Sequence, residues 1–115
     1  MPIERRQIYF VNLNPVEGHE QAGHRPVLVL SRNSINRLPL VITVIVGTKG
    51  ANIPRDYPMN VRVSPQESGL QIETVFLCFQ LRSLDPKRFP APVAGKLSEE
   101  TMARIENAVR YSLEL

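Results

Sequence analysis

The chain has 115 residues, the length of a single ordinary domain. Apolar residues make up 43% and charged residues 22%, which excludes a disordered acidic tail, a collagen-like chain and a coiled coil. The formal net charge is +3, and only three of the 14 basic residues are lysines, so arginine dominates. Arginine binds phosphate bidentately, but a charge this small equally describes a solvated surface.

The sequence contains no run of about eighteen apolar residues, and no apolar stretch follows the charged N-terminus. It therefore predicts neither a membrane span nor a signal peptide. A single cysteine cannot form a disulfide framework. These features favour a cytoplasmic protein whose one domain covers residues 1–115.

Ten prolines lie at or before residue 92, and none follows it. Since proline is excluded from helix interiors and central strands, this spacing predicts short strands and no long helix before that point. Runs rich in β-branched and aromatic residues indicate where the strands lie. In chain order they span residues 7–13, 26–30, 40–46, 60–63 and 73–82.

The last segment has the pattern of an amphipathic helix. Ser98 is a suitable N-cap, and the acidic pair that follows it suits the positive end of the helix dipole. Apolar residues then recur at three- and four-residue spacing, at Met102, Ile105, Val109 and Leu113.

The fold class predicted by these elements is mainly β with a C-terminal α-helix. A small barrel of five or more bent antiparallel strands removes exposed sheet edges in so short a chain. The connection over residues 47–58 lacks any apolar period, and we expect it to be mobile or functional.

The sequence contains no pattern typical of a metal or cofactor site. His19, His24 and Cys78 do not lie at a ligand spacing, and no glycine-rich phosphate loop occurs. Cys78 lies inside an apolar strand and is expected to be a small buried hydrophobe. We therefore expect no metal site and no cofactor.

One polar segment lies between the first two strands. It carries His19, Glu20, His24 and Arg25 close to two glycines. Titratable residues on a loop anchored by rigid strands often form a site, in which histidine or glutamate acts as a base and arginine binds an anion. A solvated hairpin whose charges pair locally is the alternative that the residues leave open.

The same segment carries family motifs. Asn-Leu-Asn-Pro at 12–15, Gly-His-Glu-Gln at 18–21 and Gly-His-Arg-Pro at 23–26 precede an apolar strand. A second apolar strand ends in Thr48, and a third motif carries Gln80, Arg82, Asp85 and Arg88. Together these motifs resemble those of MazF/PemK-type toxins, the ribonuclease members of bacterial type II toxin–antitoxin modules. Two positions depart from the family pattern: Arg6-Gln7 replaces Gly-Asp, and Phe79 replaces a polar residue.

The resemblance implies an SH3-like small barrel of the plasmid-toxin type shared by MazF, CcdB and Kid. It also implies a cytoplasmic homodimer that cleaves single-stranded RNA at short sequence motifs, without a metal, through attack of the substrate's 2′-hydroxyl. A cognate acidic antitoxin, similar to MazE, is the implied partner.

Site roles follow from the same resemblance. Arg25 is the implied catalytic cation and acid, and Thr48 is implied to donate its hydroxyl to a phosphate oxygen. Because arginine stays protonated, Glu20 and His24 are the candidates for the general base. We expect RNA contacts from a wider set: Arg6, Lys49, Arg55, Tyr57, Gln80, Arg82 and Arg88. Tyr57 is the favoured base-stacking residue, ahead of Tyr9 and Phe10, and the 47–58 connection is the expected lid.

Two alternatives remain at this level. The first is a non-catalytic toxin of the same fold that acts by protein binding, as the gyrase-inhibiting CcdB toxins do; the Gly-x-Arg-Pro motif at 23–26 argues against it. The second is a degenerate member that only binds a partner, which the altered start at Arg6-Gln7 keeps open.

Overall fold

The computed structural model describes residues 2–38 and 40–115; Met1 and Pro39 lie outside this description. Its strands are β1 (Gln7–Asn12), β2 (His24–Val29), β3 (Ile42–Lys49), β4 (Asn60–Val63), β5 (Thr74–Leu84) and β6 (Gly95–Lys96). Its helices are α1 (Asn33–Asn36), α2 (Pro65–Ser68) and α3 (Glu99–Leu113), with 3-10 turns at Gly50–Asn52 and Pro86–Arg88.

The six strands form one antiparallel sheet in the order β4-β5-β3-β2-β1-β6. The sheet is strongly bent into a half-barrel, and in the described part of the chain its edge strands β4 and β6 do not pair with each other. Helix α3 packs on β4 and β5. The mainly β class, the five predicted strands and the terminal helix are confirmed.

Both faces of the sheet are buried under apolar side chains. On the face beneath α3, Ile8, Leu28, Ile45 and Phe76 of the strands form one cluster with Met102 and Ile105 of the helix. The opposite face holds Val11, Leu13, Val27, Val44 and Val46, with Phe89 packed against them. Since successive residues of a strand point to opposite faces, residues 27–29 of β2 and 44–46 of β3 are all apolar.

The third strand is longer than the sequence pattern indicates. The predicted end at Val46 is wrong, because pairing with β5 continues through Gly47 and Thr48 to Lys49. A side chain at Gly47 would approach the Phe76 ring to 3.0 Å, so the bare backbone lets the two strands stay together. The strand also begins at Ile42, two residues later than predicted.

Helix α3 begins as predicted. Ser98 Oγ accepts a hydrogen bond from the Thr101 N–H at 3.1 Å, and the first turn is acidic. Met102, Ile105 and Val109 are buried, but Leu113 is 48% exposed, which corrects the prediction that it lies on the packed face. In the described ranges, no helix combines the length and apolar character needed to cross a bilayer.

Arg6 has a left-handed backbone conformation, with φ of 76°. Its N–H donates to the Val29 carbonyl at 3.0 Å, and its own carbonyl accepts from the Leu97 N–H at 2.9 Å. These two bonds fix the entry into β1. A side chain in this conformation costs about 1 kcal/mol, which explains why glycine suits the equivalent family position.

We expect Arg6→Gly to leave the free energy of unfolding unchanged or slightly raised, because relief of strain worth up to about 1 kcal/mol offsets the loss of the hydrogen bond from Arg6 Nη1 to the Leu97 carbonyl. Urea denaturation measures the change. Arg37→Gly is the matched control, since Arg37 is exposed and has φ of −81°, where glycine brings only a loss of stability. Equal destabilisation of both variants would contradict strain at Arg6.

Candidate active site

Arg25 and Thr48 meet at the ends of two neighbouring strands. Strands β2 and β3 pair with Val27 opposite Val46, and two further residues of that register place Arg25 opposite Thr48. Arg25 Nη1 donates to Thr48 Oγ1 at 3.4 Å, while Arg25 Nε donates to the Ala22 carbonyl at 2.8 Å. A guanidinium and a hydroxyl distant in sequence thus share one small region of the surface.

Thr48 is a strand residue with a second polar neighbour. Only 2% of its surface is exposed, and its Oγ1 accepts a hydrogen bond from Asn52 Nδ2 at 2.9 Å. Asn52 is the last residue of the 3-10 turn that follows β3. We call Arg25, Thr48 and Asn52 the hydroxyl cluster.

Arg62 clamps the turn Gly50–Asn52 from strand β4. Its Nη1 donates to the Gly50 carbonyl at 3.2 Å and to Glu73 Oε1 at 2.8 Å. Its Nε donates to Asp56 Oδ1 at 2.8 Å. The connection over 47–58, the expected lid, is therefore strand and clamped turn in its first half.

Two arginines predicted to contact RNA donate to backbone carbonyls at the end of β1 and the start of the β1–β2 loop. Arg82 Nη1 donates to the Leu13 carbonyl at 2.9 Å. Arg88 Nη2 donates to the carbonyls of Asn14 at 2.7 Å and Asn12 at 3.2 Å. Both guanidinium groups therefore hold the start of the loop that leads to Arg25.

Gln80 and Glu20 lie farther along the same loop. Gln80 Oε1 accepts from the Gln21 N–H at 3.2 Å, and its Nε2 donates to the His19 carbonyl at 3.4 Å. Glu20 Oε1 accepts from the Glu17 N–H at 2.6 Å. A groove of about 390 Å³ is lined here by His19, Glu20, Phe79, Gln80, Leu81 and Arg82.

His24 lies away from the hydroxyl cluster. It neighbours Arg25 in β2, so its side chain points to the other face of the sheet, where it stacks on Phe10 with ring centroids 5.8 Å apart. The cleft beside it has a volume of about 450 Å³ and is lined by His24, Arg25 and Lys49 among others. The structure does not bring His24 or Lys49 to Thr48.

The remaining predicted RNA contacts are scattered. Arg6 lies at the opposite end of β1 from Arg25, and its Nη1 donates to the Leu97 carbonyl at 3.1 Å. Arg55 and Tyr57 are exposed on the connection that leads into β4. Tyr9 is buried and excluded from stacking on a base, whereas Phe10 is half-buried in the cleft beside His24.

Cys78 is fully buried, as predicted from its apolar surroundings. Burial raises the pKa of its thiol to about 12, because the thiolate loses its hydration there. Cys78 is therefore a packing residue and no nucleophile at neutral pH. Across residues 2–38 and 40–115, no three His, Cys, Asp or Glu side chains converge on a point where a metal ion fits.

Sequence reasoning missed Asn52 and Arg62. Asn52 follows Thr48 by four residues, and a tight turn after the strand is what returns its side chain to the hydroxyl. Arg62 alternates with two buried valines in β4, a pattern that places it on the opposite side of the strand from them. The sequence shows several polar residues between Gly47 and Pro58, but nothing in it indicates which of these residues contacts Thr48.

Comparison with solved structures identifies the class of protein. The fold matches the crystal structure of MazF (form I) from Deinococcus radiodurans with a TM-score of 0.83 at 25% identity, covering 100% of this chain and 99% of that one. An endoribonuclease in complex with its cognate antitoxin from Mycobacterial species matches with a TM-score of 0.79 at 21% identity, over 98% and 96% of the two chains. The architecture is that of the MazF toxins.

Sequence comparison gives the family. Residues 4–113 match the model for the PemK-like, MazF-like toxin of type II toxin–antitoxin systems, and the chain belongs to this family. It is 34% identical to endoribonuclease MazF of Staphylococcus epidermidis, over 98% of this chain and 92% of that protein. It is also 34% identical to endoribonuclease EndoA of Bacillus subtilis (strain 168), over 100% and 97%. The resemblance read from the motifs is confirmed.

We expect Arg88→Ala to loosen the β1–β2 loop, because two backbone carbonyls lose their donor. Amide hydrogen exchange over residues 13–23 should accelerate about tenfold, as expected for the loss of roughly 1.4 kcal/mol of local hydrogen bonding. Lys87→Ala, at the exposed neighbouring position, is the control. Identical exchange in both variants would show that Arg88 does not hold the loop.

Proposed function

We propose that this chain cleaves single-stranded RNA at short sequence motifs, without a metal ion, and that a cognate antitoxin neutralises it. Its family and its two endoribonuclease relatives support RNA cleavage as the general activity. The observation that carries the mechanism is the contact between Arg25 and Thr48, the cation and the hydroxyl named by the family motifs.

The proposed reaction uses a nucleophile that the substrate supplies. The 2′-oxygen attacks the adjacent phosphorus and loses its proton to a base, while the bond from phosphorus to the 5′-oxygen breaks and that oxygen gains a proton from a general acid, the role that the family motifs imply for Arg25. The products are a 2′,3′-cyclic phosphate and a 5′-hydroxyl. Negative charge that develops on the phosphoryl oxygens needs a cation and hydrogen-bond donors placed in advance.

Arg25 is the proposed cation and Thr48 the proposed donor. Arg25 remains charged at any working pH, and its fork suits phosphate oxygens. We assign the base to Glu20 in preference to His24. Glu20 lies on the loop that both Arg25 and Gln80 contact, whereas His24 points to the other side of the sheet.

The substrate is proposed to be single-stranded, because a duplex hides base edges and restricts the in-line geometry of attack. The exposed Arg55 and Tyr57 lie on the chain that follows the hydroxyl cluster, where they suit phosphate contact and base stacking. Gln80 is placed to face RNA in the groove beside Glu20. Arg82 and Arg88 contribute by holding the loop.

We expect Arg25→Ala to lower the cleavage rate by on the order of a hundredfold or more, because the transition state loses its cation. Primer extension on a long RNA in EDTA maps the cuts, and treatment of the fragment ends identifies cyclic phosphates. Arg37→Ala, an exposed arginine next to α1, is the matched control. Products with 5′-phosphate ends, or full activity of Arg25→Ala, would contradict the mechanism; gyrase inhibition without RNA cleavage would support a CcdB-like activity instead.

An acidic antitoxin segment is the proposed partner. The cleft that Arg25 lines also holds the exposed Ile72, a combination of charge and apolar surface that suits a disordered acidic tail which folds on binding. Two crystal structures of MazE-MazF from Deinococcus radiodurans share this fold, at 21% and 23% identity.

We also propose that the chain is a homodimer. An open apolar groove lies between β5 and the end of α3, lined in part by Met59, Phe79, Tyr111 and Leu113. Phe79 is 48% exposed and Tyr111 is 61% exposed. Large exposed aromatic side chains grouped around one groove are typical of an interface, and a second copy of the chain is the proposed occupant.

We expect Phe79→Glu to shift the chain towards a monomer, because a charge replaces an aromatic side chain at the proposed interface. Light scattering after size exclusion should give the wild type twice the 13.0 kDa chain mass. Ile72→Glu is the control, since Ile72 is 50% exposed and lines the separate cleft beside His24. A monomeric wild type would contradict the dimer.

A further inference from the structure

The Thr48 hydroxyl receives two hydrogen bonds. Asn52 Nδ2 donates to Thr48 Oγ1 at 2.9 Å, and Arg25 Nη1 donates to the same atom at 3.4 Å. A hydroxyl has one proton and two lone pairs. Both of its acceptor positions are therefore occupied, and its proton must point elsewhere.

The hydroxyl proton has no internal destination. Within residues 2–38 and 40–115, Thr48 Oγ1 takes part in hydrogen bonds only as an acceptor. A buried hydroxyl normally turns its proton to a nearby carbonyl or carboxylate. In the described residues Oγ1 has no such partner for its proton, which is therefore available to an acceptor that arrives from outside.

The Asn52 amide is held in place by the turn that carries it. The Ile53 N–H donates to the Gly50 carbonyl at 3.0 Å, and the Gly50 N–H donates to the Glu73 carbonyl at 2.9 Å. Arg62 donates to the carbonyls of both Gly50 and Ile53. The amide therefore reaches Thr48 from a turn fixed on both sides, which limits the entropy lost when RNA binds.

We propose that Asn52 is a positioning residue that sets the direction of the Thr48 hydroxyl. Its amide group donates to Oγ1 and thereby aims the hydroxyl proton at a phosphoryl oxygen of the bound RNA. This inference rests on the proposed cleavage activity and adds to it a residue that acts through Thr48 without touching the phosphate.

The direction of the hydrogen bond can be reversed. In the Asn52→Asp variant the introduced carboxylate is acceptor-only, so the Thr48 hydroxyl turns its proton to that carboxylate and away from RNA. We expect single-turnover cleavage to fall about tenfold in Asn52→Ala and on the order of a hundredfold in Asn52→Asp. Ala51→Asp, at the exposed neighbouring position, adds the same charge without a contact to Thr48 and measures simple repulsion of RNA.

A double substitution tests whether Asn52 acts through the hydroxyl. Thr48→Val keeps the shape of the side chain and removes its oxygen. In that background Asn52→Ala should change the cleavage rate by less than about twofold, because no hydroxyl remains to be aimed. An additive loss would overturn the proposal.

Binding and folding are measured separately from chemistry. An oligonucleotide with a 2′-deoxy residue at the cleavage position cannot react, and its dissociation constant should change less than about threefold between wild type and Asn52→Ala. If Asn52→Ala weakened only RNA binding, or if Asn52→Asp were as active as Ala51→Asp, the role of Asn52 would be overturned. The proposed function would stand in either case. Absence of cleavage by the wild type would overturn the proposed function itself, and this role with it.

Discussion

The sheet is buried on both faces, and this constraint decides where polar chemistry can lie. Helix α3 covers one face and the β1–β2 loop with Phe89 covers the other, so the middle of β2 and β3 is apolar. In these two strands the polar side chains lie towards the ends. Arg25 at the start of β2 and Thr48 near the end of β3 occupy such places, and antiparallel pairing brings these two ends together.

The same constraint explains why so many arginines act within the protein. Arg62, Arg82 and Arg88 donate to backbone carbonyls of connections that have few partners in the sheet. Several guanidinium donors in one plane satisfy more than one carbonyl at once, which a lysine ammonium does less well. The net charge of +3 therefore overstates the cationic surface offered to RNA.

Sequence alone predicted the elements whose patterns are local. Proline spacing and β-branched runs located five strands, and the Ser98 cap with its apolar stripe located α3. The end of β3 was missed because Gly47 looks like a turn signal, although it serves a close approach to Phe76. That approach depends on a residue far along the chain, in β5, and no local pattern contains it.

The residues of the site, like the elements of the fold, could be predicted from the sequence only in part. The family motifs indicated Arg25 and Thr48, and the register between β2 and β3 supplied the reason for their contact. Asn52 and Arg62 could not be found in this way, because their importance lies in hydrogen bonds to an oxygen and to carbonyls rather than in residue type. His24 is a different case: it matched a motif, yet its side chain stacks on Phe10 on the other side of the sheet.

The close approach at Gly47 has a consequence for engineering. Gly47 immediately precedes Thr48, and its backbone lies against the Phe76 ring. Phe76 belongs to the apolar cluster between the sheet and α3. A change of volume at Phe76 would therefore be transmitted directly to the strand that carries Thr48, whereas Met102 and Ile105 belong to α3 itself. Efforts to stabilise the protein for biotechnological use should start from the helix side of that cluster and leave the ring at position 76 intact.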